Sequence, residues 1–211
     1  MALLDDISSA LQRGKRKEVT KLVQQAIDEG MDATTILQDG LMPGMNIIGE
    51  KFKNDEVFVP EVLVAARAMN AGTALLKPLM AQAGAEPLGK ACIGTVKGDM
   101  HDIGKNLVRM MLEGKGIEMI DLGVDVEPQK FVDCVIENDL QIVCLSALLT
   151  TTMPVMEEVI KAFEEAGIRD KVTIMVGGAP VNQDFCDSIG ADIYTTDAAS
   201  AADAAEAVLR K

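Results

Sequence analysis

A change in hydrophobic rhythm near residue 87 constrains the fold of this chain more than any other feature of its sequence. Before that point, apolar residues recur at the spacing of amphipathic helices, as in Leu3, Ile7 and Leu11. After it, short apolar runs alternate with amphipathic helical stretches. One domain does not ordinarily combine both patterns in separate halves, so we predict a domain at 1–87 and another at 88–211.

The first half is predicted to be a four-helix bundle, because no strand-like alternation interrupts its helical spacing. Breaks are expected at Gly14, at Gly30, at residues 40–44 around Pro43, and at the polar turn 53–56. The small, non-periodic stretch 83–89 is typical of a linker between domains.

The second half is predicted to be an α/β domain with a flavodoxin- or Rossmann-like, doubly wound, five-stranded parallel sheet. Right-handed crossovers favour the strand order 2-1-3-4-5, in which ligands bind beyond the carboxyl ends of strands 1 and 3. The polar loops 98–104 and 146–152 follow those two strands. The predicted strands are 91–96, 118–122, 142–145, 172–176 and 192–194, and the predicted helices are 104–115, 128–137, 154–166, 182–188 and 200–209.

Charge and composition exclude several classes of partner. A net charge of −13 disfavours binding to nucleic acid or an anionic membrane, and the one basic cluster, residues 13–17, reads as a solvated helix start. No apolar run approaches the ~20 residues that span a bilayer, and residues 1–6 do not resemble a signal peptide, so we expect a cytoplasmic protein. The four cysteines form no C-x-x-C pair and are expected to be inert, reduced thiols.

The only histidine, His101, lies in the loop after the first predicted strand, between Asp99 and Asp102. A lone histidine is more often structural, but Gly98 and Gly104 permit close backbone approach here and Asp99 can orient the ring. Zinc would need more ligands than one imidazole, and a Cys–His nucleophile would need an exposed thiol. A single protein ligand suits a metal whose other positions a macrocycle fills.

Three motifs carry a specific resemblance. Residues 98–106, GDMHDIGKN, resemble the Asp-x-His-x-x-Gly signature of cobalamin-binding domains, and Ser146-Ala147-Leu148 and Gly177-Gly178 resemble the Ser-x-Leu and Gly-Gly elements of that family. Residues 44–52, GMNIIGEKF, and 57–60, VFVP, resemble the cap module of methionine synthase and of small corrinoid proteins. The resemblance covers nearly the whole chain and is nearest to the corrinoid proteins of methylamine and quaternary-amine methyltransferases.

The resemblance implies cobalamin bound base-off and His-on, with His101 as the cobalt ligand and Asp99 accepting its other ring N–H. Thr152 stands where methionine synthase has a serine and would extend this chain of hydrogen bonds. Co(I) rejects axial ligands and methyl-Co(III) accepts one, so protonation of the pair would accompany ligand release. His101 and Asp99 are thus the residues expected to take part in the chemistry.

The rest of the implied cofactor site lies on both halves. Ser146 and Thr150 would bond the displaced base, while Gly177 and Gly178 would leave room for the nucleotide tail. Phe52 and Val59 would cover the upper cobalt face, with Val59 replacing a leucine of methionine synthase. The implied cofactor-binding residues are Gly98, Asp99, Met100, His101, Asp102, Ile103, Gly104, Ser146, Leu148, Thr150, Thr152, Gly177, Gly178, Phe52 and Val59.

The function implied is that of a corrinoid methyl carrier that cycles between Co(I) and methyl-Co(III) and has no turnover alone. A substrate:corrinoid methyltransferase, of the methylated-amine type, would load it. A corrinoid:tetrahydrofolate or corrinoid:coenzyme M methyltransferase would unload it, and a reductive activase would restore Co(I). No contact with nucleic acid or membrane is expected.

Three other functions are weighed against this one. The small cobalamin subunit of a carbon-skeleton mutase shares the histidine motif but generally lacks the Phe-bearing cap, and would prefer adenosyl- over methylcobalamin. A B12-dependent sensor would be expected to carry a basic helix-turn-helix. A receiver-like signalling domain would place a phosphorylatable Asp after strand 3, where Ser146 stands.

Overall fold

The computed structural model describes residues 2–84 and 86–210. The chain divides into two compact units, Met1–Pro87 with Gly114–Gly116, and Leu88–Glu113 with Ile117–Lys211. The first unit is helical and the second contains every strand of the described residues.

The helical unit buries one apolar face of each helix, including Ile7, Leu11, Val23 and Met69, in a common core. The helix that begins at Ala33 is capped by Asp32, whose carboxylate accepts the Thr35 N–H at 3.0 Å. The helical first half predicted from the sequence is therefore confirmed. The helices are α1 Ala2–Gln12, α2 Arg16–Asp28, α3 Ala33–Thr35, α4 Met42–Lys53 and α5 Val59–Gln82, with a π-helical segment Ile36–Leu41 between α3 and α4.

The break predicted at residues 40–44 is wrong, because the chain there stays helical. The π-helical segment Ile36–Leu41 joins α3 directly to α4, and the Met42 N–H bonds to the Leu37 carbonyl, five residues earlier. Pro43 lies in the first turn of α4, where it has no N–H to offer and its ring would crowd the carbonyl four residues before it. Widening the preceding turn accommodates the proline without ending the helix.

The α/β unit has a five-stranded, all-parallel sheet in the order β2-β1-β3-β4-β5, as the sequence predicts. β1 and β3 lie inside the sheet and are buried along almost their whole length. The strands are β1 Gly89–Val96, β2 Ile117–Val126, β3 Ile142–Ser146, β4 Thr173–Gly177 and β5 Ile193–Tyr194. The helices are α6 Ile103–Gly114, α7 Pro128–Asn138, α8 Met153–Glu165, α9 Gln183–Ile189 and α10 Ala198–Leu209.

β2 runs to Val126, four residues beyond its predicted end at 122. Gly123 has a φ of 87° and Asp125 a φ of 53°, and the register with β1 shifts twice, on either side of Gly94. These bulges interrupt the regular alternation by which a strand is recognised in a sequence. The extension matters because it brings Asp125 beside the loop that follows β1.

All four cysteines are buried. Burial raises the pKa of the Cys144 thiol, on β3, to about 12, so this group stays protonated near neutral pH. Within residues 2–84 and 86–210, no helix is both long enough and apolar enough to cross a membrane.

Candidate functional site

The loop between β1 and α6 carries Asp99 and His101, at the edge of the sheet formed by the carboxyl ends of the strands. Its backbone is fixed at both sides: the Asp99 N–H bonds to the Val96 carbonyl at 3.1 Å, and the buried Thr95 hydroxyl donates to the His101 carbonyl at 2.7 Å. The β3–α8 loop lies next to it because β1 and β3 are paired neighbours.

The Asp99 carboxylate is the centre of the site and is completely buried. Its Oδ1 accepts the His101 backbone N–H at 3.1 Å and lies 2.7 Å from His101 Nδ1. Its Oδ2 accepts the N–H groups of Leu148 at 2.8 Å and Leu149 at 3.2 Å, and lies 2.8 Å from Thr152 Oγ1. Five donors from two loops therefore surround one carboxylate.

These donors decide the charge state of Asp99. Burial alone would raise the pKa of this carboxyl, but hydrogen bonds from the Leu148 amide, His101 and Thr152 outweigh burial and hold its pKa well below the usual range. Because Asp99 stays ionised, the proton between the two side chains resides on His101 Nδ1. In the neutral imidazole the other ring nitrogen, Nε2, then carries the lone pair, on a side chain that is 50 % exposed.

The Thr152 hydroxyl lies within hydrogen-bond distance of two acceptors. Its hydroxyl oxygen is 2.8 Å from Asp99 Oδ2 and 2.9 Å from the Leu149 carbonyl oxygen. A hydroxyl has one proton, so Thr152 donates to only one of the two acceptors at a time. The hydroxyl can therefore adjust its donation when the charge on the Asp99–His101 pair changes.

Large apolar side chains are exposed on the two loops that meet at Asp99. Met100 and Ile103, one and two residues from His101 in the chain, are 69 % and 71 % exposed, and Leu148 and Leu149 also lie partly in solvent. Exposed apolar side chains on the same loops as a polar group are typical of a surface that binds an apolar molecule.

The ends of β3 and β4 leave space beside this surface. Ser146 pairs in register with Gly177, and a Cβ placed on Gly177 would meet no atom within 4 Å. A Cβ on Gly178, whose φ is 134°, would lie 1.8 Å from the Ala147 carbonyl oxygen. Gly178 is therefore required by the backbone itself, whereas the absence of a side chain at Gly177 keeps a space open.

The remaining residues of the predicted site have various environments. Thr150 is exposed in the β3–α8 loop, and the Asp102 carbonyl accepts the Asn106 N–H at 2.8 Å at the start of α6. Phe52 and Val59 belong to the helical unit, where both are half-buried, at the end of α4 and the start of α5. Their role as a cover remains a prediction from the resemblance.

Sequence reasoning missed several groups that hold the loop. The backbone amides of Leu148 and Leu149 and the Thr95 hydroxyl carry no motif that reveals them. Asp125 was also missed: its Oδ1 accepts the Gly98 N–H at 2.7 Å. A signal for Asp125 was present, because a charged residue between two valines near a strand end suggests a bulge or a functional position.

The fold and the site define an α/β domain of the cofactor-binding type, in which a buried carboxylate orients a histidine side chain at the switch point of the sheet. Residues 89–208 match the family model of the B12 binding domain, and residues 3–77 match a second model with the same description. The chain belongs to the family of B12-binding corrinoid proteins of methyltransferase systems, and its cofactor is cobalamin or a related corrinoid.

Similar proteins span nearly its whole length. A corrinoid protein of Desulfitobacterium hafniense is 40 % identical over 100 % of this chain and 99 % of its own length. The dimethylamine corrinoid protein of Methanosarcina barkeri is 41 % identical over 98 % of this chain and 97 % of its own length. The crystal structure of the methanol:cobalamin methyltransferase complex MtaBC, also from Methanosarcina barkeri, contains a chain with a TM-score of 0.89 and 32 % identity, matched over 99 % of this chain and 80 % of that one.

The residues present fit a corrinoid. His101 Nε2 offers one nitrogen ligand, which suffices for a metal already held by four ring nitrogens. The exposed apolar side chains of the β1–α6 and β3–α8 loops suit contact with the face of a macrocycle, and the space at Gly177 suits an extended substituent.

Proposed function

We propose that this chain is a methyl carrier that binds cobalamin base-off and His-on, and that His101 Nε2 would be the protein ligand to its cobalt. When bound, cobalamin supplies a cobalt centre that takes up a methyl group from one partner and gives it to another. The observation that carries the proposal is the Asp99–His101 pair, in which a buried, ionised carboxylate holds Nδ1 at 2.7 Å and directs Nε2 outward.

The roles of the protein residues follow from their contacts. His101 would hold the metal, Asp99 fixes its tautomer and orientation, and Thr152 lies within reach of both Asp99 and the Leu149 carbonyl. A positive charge on the imidazole would be stabilised by Asp99, so the pair could hold a proton at Nε2 whenever that nitrogen is free. In this proposal residues 1–87 are the cap domain and 88–211 the cofactor-binding domain.

We further propose that Ser146, Thr150 and Leu148 contact the displaced base and that Gly177 and Gly178 border the nucleotide tail. The support is their position at the carboxyl ends of β3 and β4, next to the open space at Gly177. The loading partner is proposed to be a methylated-amine methyltransferase. Its support is the 41 % identity to a dimethylamine corrinoid protein over 98 % of this chain.

Isotopic labelling tests the ligand assignment directly, because His101 is the only histidine. Protein grown with ¹⁵N-histidine is reconstituted with cobalamin and reduced to Co(II), and the nitrogen splitting of the EPR signal is recorded. We expect the triplet of an axial ¹⁴N ligand to become the doublet of ¹⁵N. A triplet that persists would show that the base of the cofactor, not His101, is the ligand.

A variant provides the control for this experiment. His101→Ala is expected to lose the His-on visible spectrum and to bind cobalamin more weakly by at least about tenfold, the effect of 1.4 kcal/mol. Glu157→Gln, which alters a surface carboxylate of α8 that pairs with Lys161 at 2.7 Å, should leave the EPR splitting unchanged. Equal spectra for wild type and His101→Ala would overturn the proposal.

The proposed loading partner is tested separately. The reduced holoprotein is mixed with dimethylamine and a dimethylamine methyltransferase, or with methanol and a methanol methyltransferase, and the change in visible absorption on methylation is followed. We expect faster methylation from dimethylamine. Methylation from methanol alone would reject the amine assignment and leave the carrier function intact.

A further inference from the structure

We propose that Asp125 is a positioning residue for the His101 loop, an inference that rests on the proposed function. Asp125 is the last but one residue of β2, and its two polar groups face the turn that leads to Asp99. Its Oδ1 accepts the Gly98 N–H at 2.7 Å, and its own N–H donates to the Asp99 carbonyl at 3.0 Å.

These two bonds complete the fixation of Asp99. The side chain of Asp99 is held by the β3–α8 loop through Leu148, Leu149 and Thr152. Its main chain is held from the other side, by Asp125 on β2. Asp99 is thus fixed between the two neighbours of β1 in the sheet, so the imidazole that it orients has a defined direction.

The turn itself needs this support. Gly98 has a φ of 81°, a conformation that glycine adopts easily and also leaves easily. Without an acceptor for the Gly98 N–H, the peptide between Lys97 and Gly98 could rotate, and the turn that carries Asp99 would shift away from His101. The carboxylate of Asp125 limits that rotation through the bond to the Gly98 amide.

The backbone at Asp125 makes a matched series of variants available. Its φ of 53° is tolerated by Asp, Asn and Gly but strained for other residues. Asp125→Asn keeps both the conformation and an acceptor oxygen, whereas Asp125→Gly keeps only the conformation. A nearby control is Glu127→Gln, which removes a negative charge that pairs with Lys97 at 2.9 Å.

The first measurement uses the protein without cobalamin. Amide hydrogen exchange at Gly98, followed by NMR, is expected to be at least about tenfold faster in Asp125→Gly than in wild type, the effect of losing one hydrogen bond. In Asp125→Asn and Glu127→Gln, the exchange rate of the Gly98 amide should remain within about threefold of the wild-type rate. Protection of the Gly98 amide that survives in Asp125→Gly would overturn the inference.

The second measurement uses the reconstituted, ¹⁵N-histidine-labelled protein. We expect the His-on fraction of the Co(II) EPR signal to fall in Asp125→Gly and to be restored in Asp125→Asn. An unchanged His-on fraction in Asp125→Gly, or its loss in Asp125→Asn while the Gly98 amide stays protected, would overturn the inference. Global unfolding of Asp125→Gly, detected by circular dichroism, would also overturn it, because Asp125 would then support the whole fold.

The two proposals fail in different ways. Absence of a His-on signal in wild type would reject the proposed function, whatever Asp125 does to the loop. A normal His-on signal in wild type that is insensitive to Asp125 would reject only the positioning role.

Discussion

A buried carboxylate is costly unless polar groups stabilise it, and five hydrogen-bond donors surround Asp99. The sequence motif predicted the importance of Asp99 and His101. It could not reveal the amides of Leu148 and Leu149, because main-chain donors have no residue-specific signature and their direction depends on how the β3–α8 loop folds. The contacts of Asp99 with His101 and Thr152 were therefore predictable, and its bonds to the main-chain amides of the β3–α8 loop were not.

Replacing Thr152 removes one donor from this carboxylate. We expect Thr152→Val to lower the free energy of unfolding by about 1–3 kcal/mol, because a buried charged acceptor loses a partner. Thr152→Ser keeps the hydroxyl and should stay within about 0.5 kcal/mol of wild type. Urea unfolding of the apoprotein, followed by circular dichroism, measures both, and equal losses in the two variants would contradict the role of the hydroxyl.

The pH dependence of stability tests the ionisation of Asp99. The pKa of Asp99 in the folded protein is lowered from the ordinary value of 3.8. The ionised carboxylate therefore contributes to the free energy of unfolding above about pH 4, and this contribution is lost as the pH falls toward the pKa of the folded state. We expect Asp99→Asn to be less stable than wild type near neutral pH and to lose less stability below pH 4. Urea unfolding between pH 6 and pH 2.5 provides the measurement, and parallel curves for the two proteins would exclude this linkage.

Among the secondary-structure elements, those with regular periodicity were predictable and those with irregular backbone were not. The order and type of all the strands and helices of the α/β unit followed from alternating short apolar runs and amphipathic stretches. The extension of β2 was missed because Gly123 and Asp125 break the alternation, and the π-helical segment before Pro43 was misread as a break. Both misses come from backbone conformations that apolar spacing does not encode.

Two neighbouring glycines after β4 allow a matched comparison. Gly178→Ala is expected to destabilise the apoprotein by at least about 3 kcal/mol, because its Cβ would overlap the Ala147 carbonyl oxygen at a φ of 134°. Gly177→Ala should stay within about 1 kcal/mol, because its Cβ would enter open space. Thermal unfolding distinguishes the two variants, and similar melting temperatures would mean that the turn is not constrained as described.

Two features of the whole molecule, its division into two units and its charge of −13, were accessible from the sequence, because both are properties of the whole chain rather than of single contacts. The identity of the methyl donor was not accessible in the same way. Relatives named for dimethylamine and for methanol share this architecture, so the donor is not determined by the fold.

Cofactor binding should be visible in the stability of the whole protein. Cobalamin at 100 times its Kd is expected to stabilise the chain by about 2.7 kcal/mol, because it binds the folded state and not the unfolded chain. At the same cobalamin concentration, the free energy of unfolding of His101→Ala should increase less, by about 1.4 kcal/mol for each tenfold loss of affinity. Denaturant titrations followed at 222 nm test this, and equal gains for wild type and His101→Ala would contradict it.

Three of the five donors to Asp99 are main-chain N–H groups, from His101, Leu148 and Leu149. A backbone amide survives almost any substitution, so the side chain at position 149, which is partly exposed, is free to vary without disturbing the carboxylate. Evolution could therefore change the surface beside the histidine while inheriting its orientation intact. Members of one family could therefore acquire different surfaces for their partners while keeping the same orientation of the histidine.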